Sequence, residues 1–285
     1  MRDMGRVSRL LECFRDAAQV LGQAQDLTPA NQNVNRALGA FVRAVLDYPE
    51  DSIAEIQSIL AHNDVKNLRV PLLRKLAEAE FQMELFYAQP GRVASFPYHE
   101  NYRVLVAEEV AAVNLDHVGH PDDADSVSGE IYFIGSGPLP LTAIECARQT
   151  GRHVTCVERD PAAVVLSRRV IAEMGVENLV AVIEGDGSVL NYAGAGLVMV
   201  AALVDGKEKT IANIRDTAPG AMIGIRSAEG IRTLLYEEIN HDDVTRHGYR
   251  LCGQSRTTDE VVNTTLFFDP IAKPVCGANK PGLAP

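Results

Sequence analysis

A glycine turn after a strand-like segment is the first place in this sequence that could hold a ligand. The run Ile131–Ile134 is apolar, β-branched and aromatic, and Gly135, Ser136 and Gly137 follow it directly. Such a run is typical of a strand buried in a parallel sheet, and glycines after it let the backbone approach a ligand. Pro140 suits the first turn of a following helix, whose start offers unpaired N–H groups. The turn alone is a weak indication, because the third glycine of the dinucleotide fingerprint is missing.

Two acidic residues near the ends of the next strand-like segments strengthen this interpretation. Glu158 ends the second apolar run, roughly 20 residues after the glycine turn, where a carboxylate can accept both hydroxyls of an adenosine ribose. Asp186 lies just after the third run. Because the carboxyl ends of parallel strands meet at one edge of a sheet, the three segments predict an adenosine site. The alternative is a set of ordinary loop turns with capping carboxylates.

Two glutamates lie where a predicted helix should be apolar. On a helical wheel of PLLRKLAEAEFQMELFYA, which begins at Pro71, Glu80 and Glu84 fall on the apolar stripe. A buried ionised carboxylate is costly unless it meets a cation or hydrogen-bond donors. Either the two glutamates line a polar cavity, where burial would suit a general base, or the stripe twists and they reach water. The aromatic and polar segment SFPYHENY that follows could frame a ligand, or could equally plug a domain interface.

The elements that position these residues are of two types. Amphipathic helices are predicted over residues 7–21, from Thr28 as N-cap, over 52–61, from Pro71 to about 88 and from about 102 to 115. Strands are predicted near residues 131, 153, 180, 197, 221, 249 and 261, with helices between them as far as about 240. A short turn between the last two strands predicts an antiparallel pair at the sheet edge. The fold class is therefore α/β, with a Rossmann-like domain preceded by an all-helical amino-terminal bundle.

A polar segment, HVGHPDDADSVS, separates the two types of element and is interpreted as a linker. The predicted domains are a helical domain at residues 1–122 and a Rossmann-like domain at 123–285. The histidines and aspartates of the linker could ligate a metal, but solvated linker residues explain the same composition and no further ligand is near in sequence.

Composition excludes several classes of partner. With Lys+Arg 27, Asp+Glu 38 and a formal net charge of −11, the chain lacks the basic face that nucleic acid or an anionic membrane would require. The five cysteines are scattered and include no C-x-x-C pair, so neither a disulfide framework nor a zinc knuckle is indicated. No segment is apolar and long enough for a secretion signal or a membrane span. We expect a cytoplasmic protein that acts on a small molecule.

Several separated segments resemble the nicotianamine synthase family, which includes bacterial relatives that make opine metallophores such as staphylopine and pseudopaline. The segments are EAE at 78–80, FPYHENY at 96–102, FIGSGPLPLT at 133–142, MVAALVDGKEK at 199–209, APGAMIGIRSAEGIRTLLY at 218–236 and TDEVVN at 258–263. Any one of them would be weak, but together and in this order they are specific.

The resemblance implies a class I S-adenosylmethionine-binding domain covered by a helical domain. Enzymes of this family transfer the 3-amino-3-carboxypropyl (aminobutanoyl) group of S-adenosylmethionine to an amine and release 5′-methylthioadenosine. The sulfonium activates all three attached carbons, so the enzyme chooses among them by which one faces the nucleophile. S-adenosylmethionine is then a co-substrate, and no metal is needed for catalysis.

The resemblance also implies residues for the S-adenosylmethionine site. They are Gly135, Ser136, Gly137, Glu158, Asp186 and Leu203. The glycine turn would lie against the methionine and ribose portions, the glutamate would hold the ribose, the aspartate would hold the adenine amino group, and the leucine would form an apolar wall.

On the acceptor side, a base is needed because an amine is a nucleophile only when neutral. Glu80 is predicted to take the proton or to orient the ammonium, with Tyr98 and Tyr102 as hydrogen-bonding assistants. The residues predicted to bind substrate are Glu84, Arg226 and Asp160. The arginine offers a fork for a substrate carboxylate, or it pairs with a carboxylate of the protein, and the aspartate approaches the aminopropyl end or caps a helix.

The acceptor is predicted to be histidine. Plant members condense three aminocarboxypropyl units, whereas bacterial relatives commonly add one unit to histidine and leave the intermediate to an opine dehydrogenase. This chain departs from the plant form at His99 and Glu229. The alternatives are nicotianamine synthesis proper, an S-adenosylmethionine-dependent methyltransferase, and a nucleoside-binding module without catalysis. A homodimer is compatible with the sequence.

Overall fold

The amino-terminal part of the chain is helical. The computed structural model describes residues 2–113, 129–256, 258 and 261–271. The helices before the sheet are α1 (Arg2–Gln23), α2 (Gln32–Leu46), α3 (Ile53–Leu60), α4 (Asn63–Tyr87) and α5 (His99–Ala112). A short 3-10 helix, Val93–Ser95, lies between the last two. The predicted helical character of this part is confirmed.

The predicted start of the second helix is wrong. Asn31, and not Thr28, is the N-cap, because the Asn31 side chain accepts the N–H groups of Asn33 and Val34. Thr28 belongs to a preceding turn, in which its N–H donates to Asp26 Oδ1 at 2.8 Å. Both residues satisfy the local rule for an N-cap, and the one whose side chain reaches the first free N–H groups begins the helix.

The predicted start of α4 at Pro71 is also wrong. The helix begins at Asn63, where the side chain of His62 accepts the N–H of Asp64, and Pro71 lies inside it. An internal proline costs one backbone hydrogen bond. Val65 and Leu72, 1% and 2% exposed, bury the helix on both sides of the proline and offset this cost.

One sheet with seven strands follows in the described part of the chain. The strands are β1 (Glu130–Ile134), β2 (Val154–Glu158), β3 (Val180–Glu184), β4 (Ala195–Val200), β5 (Met222–Ser227), β6 (Tyr249–Gln254) and β7 (Thr264–Pro270). Their order is β3-β2-β1-β4-β5-β7-β6. The first five strands are parallel, and β7 is antiparallel to both β5 and β6. The Rossmann-like α/β class and the antiparallel pair at the sheet edge are confirmed.

The helices that alternate with these strands bring the strand ends to a common crevice. They are α6 (Leu141–Thr150), α7 (Pro161–Glu173), α8 (Lys207–Thr217) and α9 (His241–Arg246), with a second 3-10 helix at Gly230–Leu234. The strand order reverses between β1 and β4, and ligands of open α/β sheets bind at the carboxyl ends of strands at such a point. None of the described helices is both long and apolar enough to cross a bilayer.

Buried side chains join the helical part to the sheet. Val106 and Val110 of α5 share one hydrophobic cluster with Phe133 of β1. A second cluster holds α1 to α4 together and includes Ile231 and Leu234 of the second 3-10 helix. That 3-10 helix therefore carries the chain after β5 back to the helical part. The division at residue 122, the histidines and aspartates of the linker and the tail from 272 to 285 lie outside the described residues, so the domain boundary stays a prediction.

Candidate active site

The glycine turn after β1 lies at the point where the strand order reverses. Gly135 and Gly137 have φ of 77° and 65°, in the left-handed region that favours glycine. The N–H of Gly135 donates to the Val157 carbonyl at the end of β2, at 2.9 Å. A Cβ on Gly135 would lie 2.5 Å from Val204 Cγ2, so the turn also needs glycine for space.

Glu158 holds this turn in place. Its side chain is buried, and Oε2 accepts the N–H of Gly137 at 2.9 Å. Its other oxygen, Oε1, accepts the N–H of Asp160, also at 2.9 Å. The carboxylate predicted to hold the ribose therefore faces the glycine turn from the end of β2.

The other residues predicted for S-adenosylmethionine lie along the same edge of the sheet. Asp186 follows β3 and is exposed. Backbone and side-chain hydrogen bonds with Ser188 hold the pKa of Asp186 below its ordinary value. Leu203 follows β4 and is 39% exposed. Lys207 fixes the loop of Leu203, because its Nζ donates to the carbonyls of Ala202 at 2.7 Å and Val204 at 2.9 Å.

Glu80 and Glu84 of α4 face this edge from the helical part. The carboxylate of Glu84 occupies the space that a side chain at Gly137 would need. Glu80 Oε2 accepts a hydrogen bond of 2.8 Å from Tyr236 Oη. Both glutamates are partly buried. That the two glutamates line a polar cavity stays a prediction.

The ionisable groups around these carboxylates influence one another strongly. Burial raises the pKa of Glu80, and the hydrogen bond from Tyr236 and the charge of Arg226 partly offset this effect. Burial raises the pKa of Glu84 further, and the charges of Glu80 and Glu158 add to it. Burial and the nearby carboxylates also raise the pKa of Tyr102 and of Tyr236. We call this set the carboxylate hollow: Glu80, Glu84, Tyr102, Arg226 and Tyr236.

Arg226, at the end of β5, is paired with Glu109 of α5. The distances are 2.9 Å from Nε to Oε1 and 3.2 Å from Nη2 to Oε2, and both side chains are buried. Thr265 Oγ1 of β7 donates to Glu109 Oε1 at 2.5 Å. The guanidinium carbon of Arg226 lies 5.3 Å from the centre of the Phe133 ring. The pair with a carboxylate of the protein is present, and binding of a substrate carboxylate by Arg226 stays a prediction.

Tyr98 and Asp160 take other positions. Tyr98 is 49% exposed at the start of α5, with its ring 5.7 Å from that of Phe96. Asp160 caps α7, because Oδ1 accepts the N–H groups of Ala162 at 2.8 Å and Ala163 at 3.4 Å. The capping alternative for Asp160 thus describes the structure, and the predicted roles of both residues in the reaction stay predictions.

Glu109 and Tyr236 belong to this site although neither was predicted from the sequence. Glu109 lies among buried apolar residues of α5, beside Val110. An acidic residue on a buried helix face is the same signal that identifies Glu80. Tyr236 ends the family-like segment at 218–236 but carries no local signal of its own.

The fold and the site together define a Rossmann-like α/β protein in which the carboxyl ends of the strands meet carboxylates from a helical part. The chain belongs to the nicotianamine synthase family, since the model of the nicotianamine synthase protein matches residues 5–273. The family resemblance of the sequence is thereby confirmed.

Individual relatives agree with this assignment. The chain is 26% identical over 294 residues to nicotianamine synthase 3 of Oryza sativa subsp. japonica, covering 94% of this chain and 81% of the relative. It is 28% identical over 305 residues to nicotianamine synthase 1 of Arabidopsis thaliana, covering 94% and 85%.

Solved structures of MtNAS are also similar. The complex of MtNAS with MTA and tNA has a TM-score of 0.76 and 26% identity, covering 92% of this chain and 97% of that one. A glutamate-to-glutamine mutant of MtNAS in complex with S-adenosylmethionine has a TM-score of 0.76 and 25% identity, covering 92% and 98%. In the described residues of the present chain, no group of three or more His, Cys, Asp and Glu side chains is placed to hold a metal ion.

Proposed function

We propose that this protein transfers the 3-amino-3-carboxypropyl group of S-adenosylmethionine to the amine of an amino acid and releases 5′-methylthioadenosine. The observation that carries the proposal is the contact between two parts of the site. Glu84 lies against Gly137, in the turn that would hold S-adenosylmethionine, and Glu80 lies one helical turn away on the same face of α4. Membership of the nicotianamine synthase family and the S-adenosylmethionine complex of an MtNAS mutant support the same activity.

The edge of the sheet fits S-adenosylmethionine. The glycine turn follows β1 at the point where the strand order reverses, and the Ser136 side chain within it is buried. Glu158 would keep its two backbone hydrogen bonds and accept the ribose hydroxyls at the remaining lone pairs of its carboxylate. Asp186 would reach the adenine amino group from the rim. Leu203 would pack beside the base.

Glu80 would act as the base. The neutral amine attacks the methylene carbon bound to sulfur, the C–N bond forms as the C–S bond breaks, and the amine proton passes to Glu80. A carboxylate whose pKa is raised by burial is a better proton acceptor than an ordinary glutamate. Glu84 stays protonated to a higher pH than an ordinary glutamate and would donate a hydrogen bond in the hollow. Burial and the charges of Glu84 and Glu80 raise the pKa of the Tyr102 phenol, which therefore keeps its proton and can donate a hydrogen bond.

The acceptor in this proposal is histidine. Addition of one unit to histidine needs only one productive pose, and it would place the enzyme in the bacterial opine-metallophore branch. The product would then be the substrate of an opine dehydrogenase in the cytoplasm. The second candidate is nicotianamine synthase proper, in which several aminobutanoyl units are condensed. It is favoured by the names of the relatives, which are nicotianamine synthases.

Product analysis tests the proposal. The purified protein is incubated with S-adenosylmethionine alone, with L-histidine and with D-histidine, and the products are identified by mass spectrometry. We expect 5′-methylthioadenosine in a one-to-one ratio with a mono-aminobutanoyl histidine in one histidine reaction. An amino-acid product from S-adenosylmethionine alone would favour nicotianamine synthesis. Release of S-adenosylhomocysteine, or no consumption of S-adenosylmethionine under any condition, would overturn the proposed transfer.

A further inference from the structure

The ion pair of Glu109 and Arg226 ties three elements together and includes the arginine of the carboxylate hollow. Glu109 belongs to α5, Arg226 to β5, and Thr265 of β7 donates the third hydrogen bond. Glu109 is 3% exposed and Arg226 is 6% exposed. A carboxylate that grips a guanidinium at two nitrogens fixes its plane as well as its position. Glu109 engages Nε and Nη2, so the third nitrogen, Nη1, is the one it leaves for other partners.

Arg226 has acidic neighbours on more than one side. The charged and titratable groups that face the carboxylate hollow are Glu80 and Glu84 from α4, Tyr102 and Glu109 from α5, Glu158 from β2, Arg226 from β5, and Tyr236 after the second 3-10 helix. The charge of Arg226 lowers the pKa of Glu80, of Glu84 and of Tyr102, and so partly offsets the effect of burial on each of them. Without Glu109, Arg226 would be an uncompensated buried cation with two glutamates as the available partners.

We propose that Glu109 is a positioning residue that holds Arg226 at two atoms and thereby keeps this cation from pairing with Glu80 and Glu84. In that arrangement Glu80 stays available to accept a proton from the acceptor amine. The catalytic meaning of this inference rests on the proposed function, but the restraint on Arg226 does not. This role differs from general support of the fold in one measurable way. Removal of Glu109 leaves a positive charge and removal of Arg226 leaves a negative one, so the two variants should shift the pKa of Glu80 in opposite directions.

A double-mutant cycle on Glu109 and Arg226 distinguishes positioning of Arg226 from general support of the fold. Glu109→Gln leaves the cation alone, Arg226→Gln leaves the anion alone, and the double variant leaves neither. An opposite charge nearby lowers the pKa of a carboxylate and a like charge raises it. We therefore expect the pKa of Glu80 to fall in Glu109→Gln by about 1 unit or more, to rise in Arg226→Gln, and to lie near the wild-type value in the double variant.

The titration is read without turnover. Protein labelled with 13C at the glutamate carboxyls is titrated by NMR, and Glu80→Gln assigns the Glu80 resonance. Glu145→Gln is the matched control, because Glu145 of α6 is 6% exposed and pairs with Arg148 Nη1 at 3.3 Å, outside the hollow. We expect it to leave the Glu80 titration unchanged. The double variant removes both charges of the pair and is expected to fold even if one single variant does not, because a neutral replacement of a buried pair is often tolerated.

The order of the Glu80 pKa values in the variants decides whether Glu109 positions Arg226 or only supports the fold. The expected order of Glu80 titrations, lowest in Glu109→Gln and highest in Arg226→Gln, supports the positioning role. If one single variant does not fold, the pKa of Glu80 in the other single variant is compared with that in the double variant, and the same direction of difference is expected. Equal titrations in all folded variants, with only a lower melting temperature, would make Glu109 a structural residue and overturn the proposal. Failure of the proposed transfer itself would appear separately, as a wild-type protein that releases no 5′-methylthioadenosine.

Discussion

The phenol of Tyr236 donates a hydrogen bond of 2.8 Å to Oε2 of Glu80. The segment just before Tyr236 is itself fixed to the helical part, because Arg69 Nε donates to the Thr233 carbonyl at 2.7 Å and Arg232 Nη2 lies 2.8 Å from Glu50 Oε1. The segment that carries Tyr236 is therefore anchored to the helical part, to which Glu80 belongs. Such a bond sets the direction of the carboxylate and tunes its proton affinity.

The variant Tyr236→Phe is expected to shift the pH dependence of turnover. The hydrogen bond from Tyr236 lowers the pKa of Glu80, so its loss raises that pKa further. A base works when it is ionised, and the acid limb of the kcat profile should therefore move to higher pH. A shift of one unit would reduce kcat about tenfold on that limb. The measurement is kcat against pH for release of 5′-methylthioadenosine.

Tyr48→Phe is the matched control for this shift. Tyr48 Oη donates to Glu55 Oε2 at 2.6 Å, a tyrosine–glutamate pair of the same kind away from the carboxylate hollow. Its loss should leave the acid limb where it is in the wild-type protein. An acid limb that does not move in Tyr236→Phe would show that this hydrogen bond does not tune the base.

The variant Glu80→Gln is expected to lose turnover but to keep S-adenosylmethionine. Glutamine has nearly the same volume and cannot accept the amine proton, so kcat should fall by about 10²- to 10⁴-fold. Binding by calorimetry should stay within a few fold. Glu78→Gln is the control, because Glu78 is exposed and pairs with Lys75 at 2.7 Å on the outer face of the same helix. Normal turnover in Glu80→Gln would remove Glu80 from the mechanism.

The variant Glu84→Gln is expected to gain stability relative to wild type as the pH rises. The pKa of Glu84 lies well above its ordinary value of 4.5 in the folded protein. Between these two values the folded state binds a proton that the unfolded state has released, so the free energy of unfolding of the wild-type protein falls as the pH rises. Glutamine does not titrate, so the Glu84→Gln variant lacks this pH-dependent fall in the free energy of unfolding. Urea unfolding at several pH values measures the free energy of unfolding of both proteins. A difference between them that does not change with pH would contradict the prediction.

The strands were predictable from sequence because their signals are local. Each parallel strand is a short apolar run that ends at a turn, and β2 ends at Glu158 as expected. Helix starts were less predictable, since Thr28 and Asn31 both satisfy the rule for an N-cap. Pro71 was misleading for a similar reason. It reads locally as a helix start, whereas the burial of Val65 and Leu72 extends the helix across it.

The site was predictable only where polarity conflicts with a local pattern. Glu80 stands out because it interrupts an apolar stripe. Its partner Tyr236 is 156 residues away in the chain, and Arg226 is 117 residues from Glu109. Partners this distant are decided by how the 3-10 helix packs on the helical part and how α5 packs on the sheet. No spacing rule along the sequence contains that information.

The variant Gly137→Ala is expected to weaken S-adenosylmethionine binding more than backbone strain alone would explain. Gly137 and Gly175 have φ of 65° and 67°, so alanine costs about 1–2 kcal/mol of strain at either position. A Cβ at 137 also collides with the Glu84 carboxylate, whereas nothing lies within 4 Å of a Cβ at 175. Unfolding and calorimetric binding of both variants measure the difference. Equal losses of stability and of affinity in the two variants would show that the Glu84 side chain moves away from the new Cβ at no cost.

Glu158 and Glu184 are register partners on β2 and β3. Glu158 is buried and receives the N–H groups of Gly137 and Asp160, whereas Glu184 is exposed. In Glu158→Gln an amide NH₂ must face one of these backbone donors, so one hydrogen bond is lost and the turn is pushed open. Hydrogen bonds to charged groups contribute about 1.5–3 kcal/mol, which predicts a decrease in S-adenosylmethionine affinity of about tenfold to a hundredfold. Glu184→Gln changes the same residue type at the same register position without touching the turn, and should bind as the wild-type protein does. Equal affinities of the two variants in calorimetry would mean that Glu158 neither holds the glycine turn nor contacts the ribose.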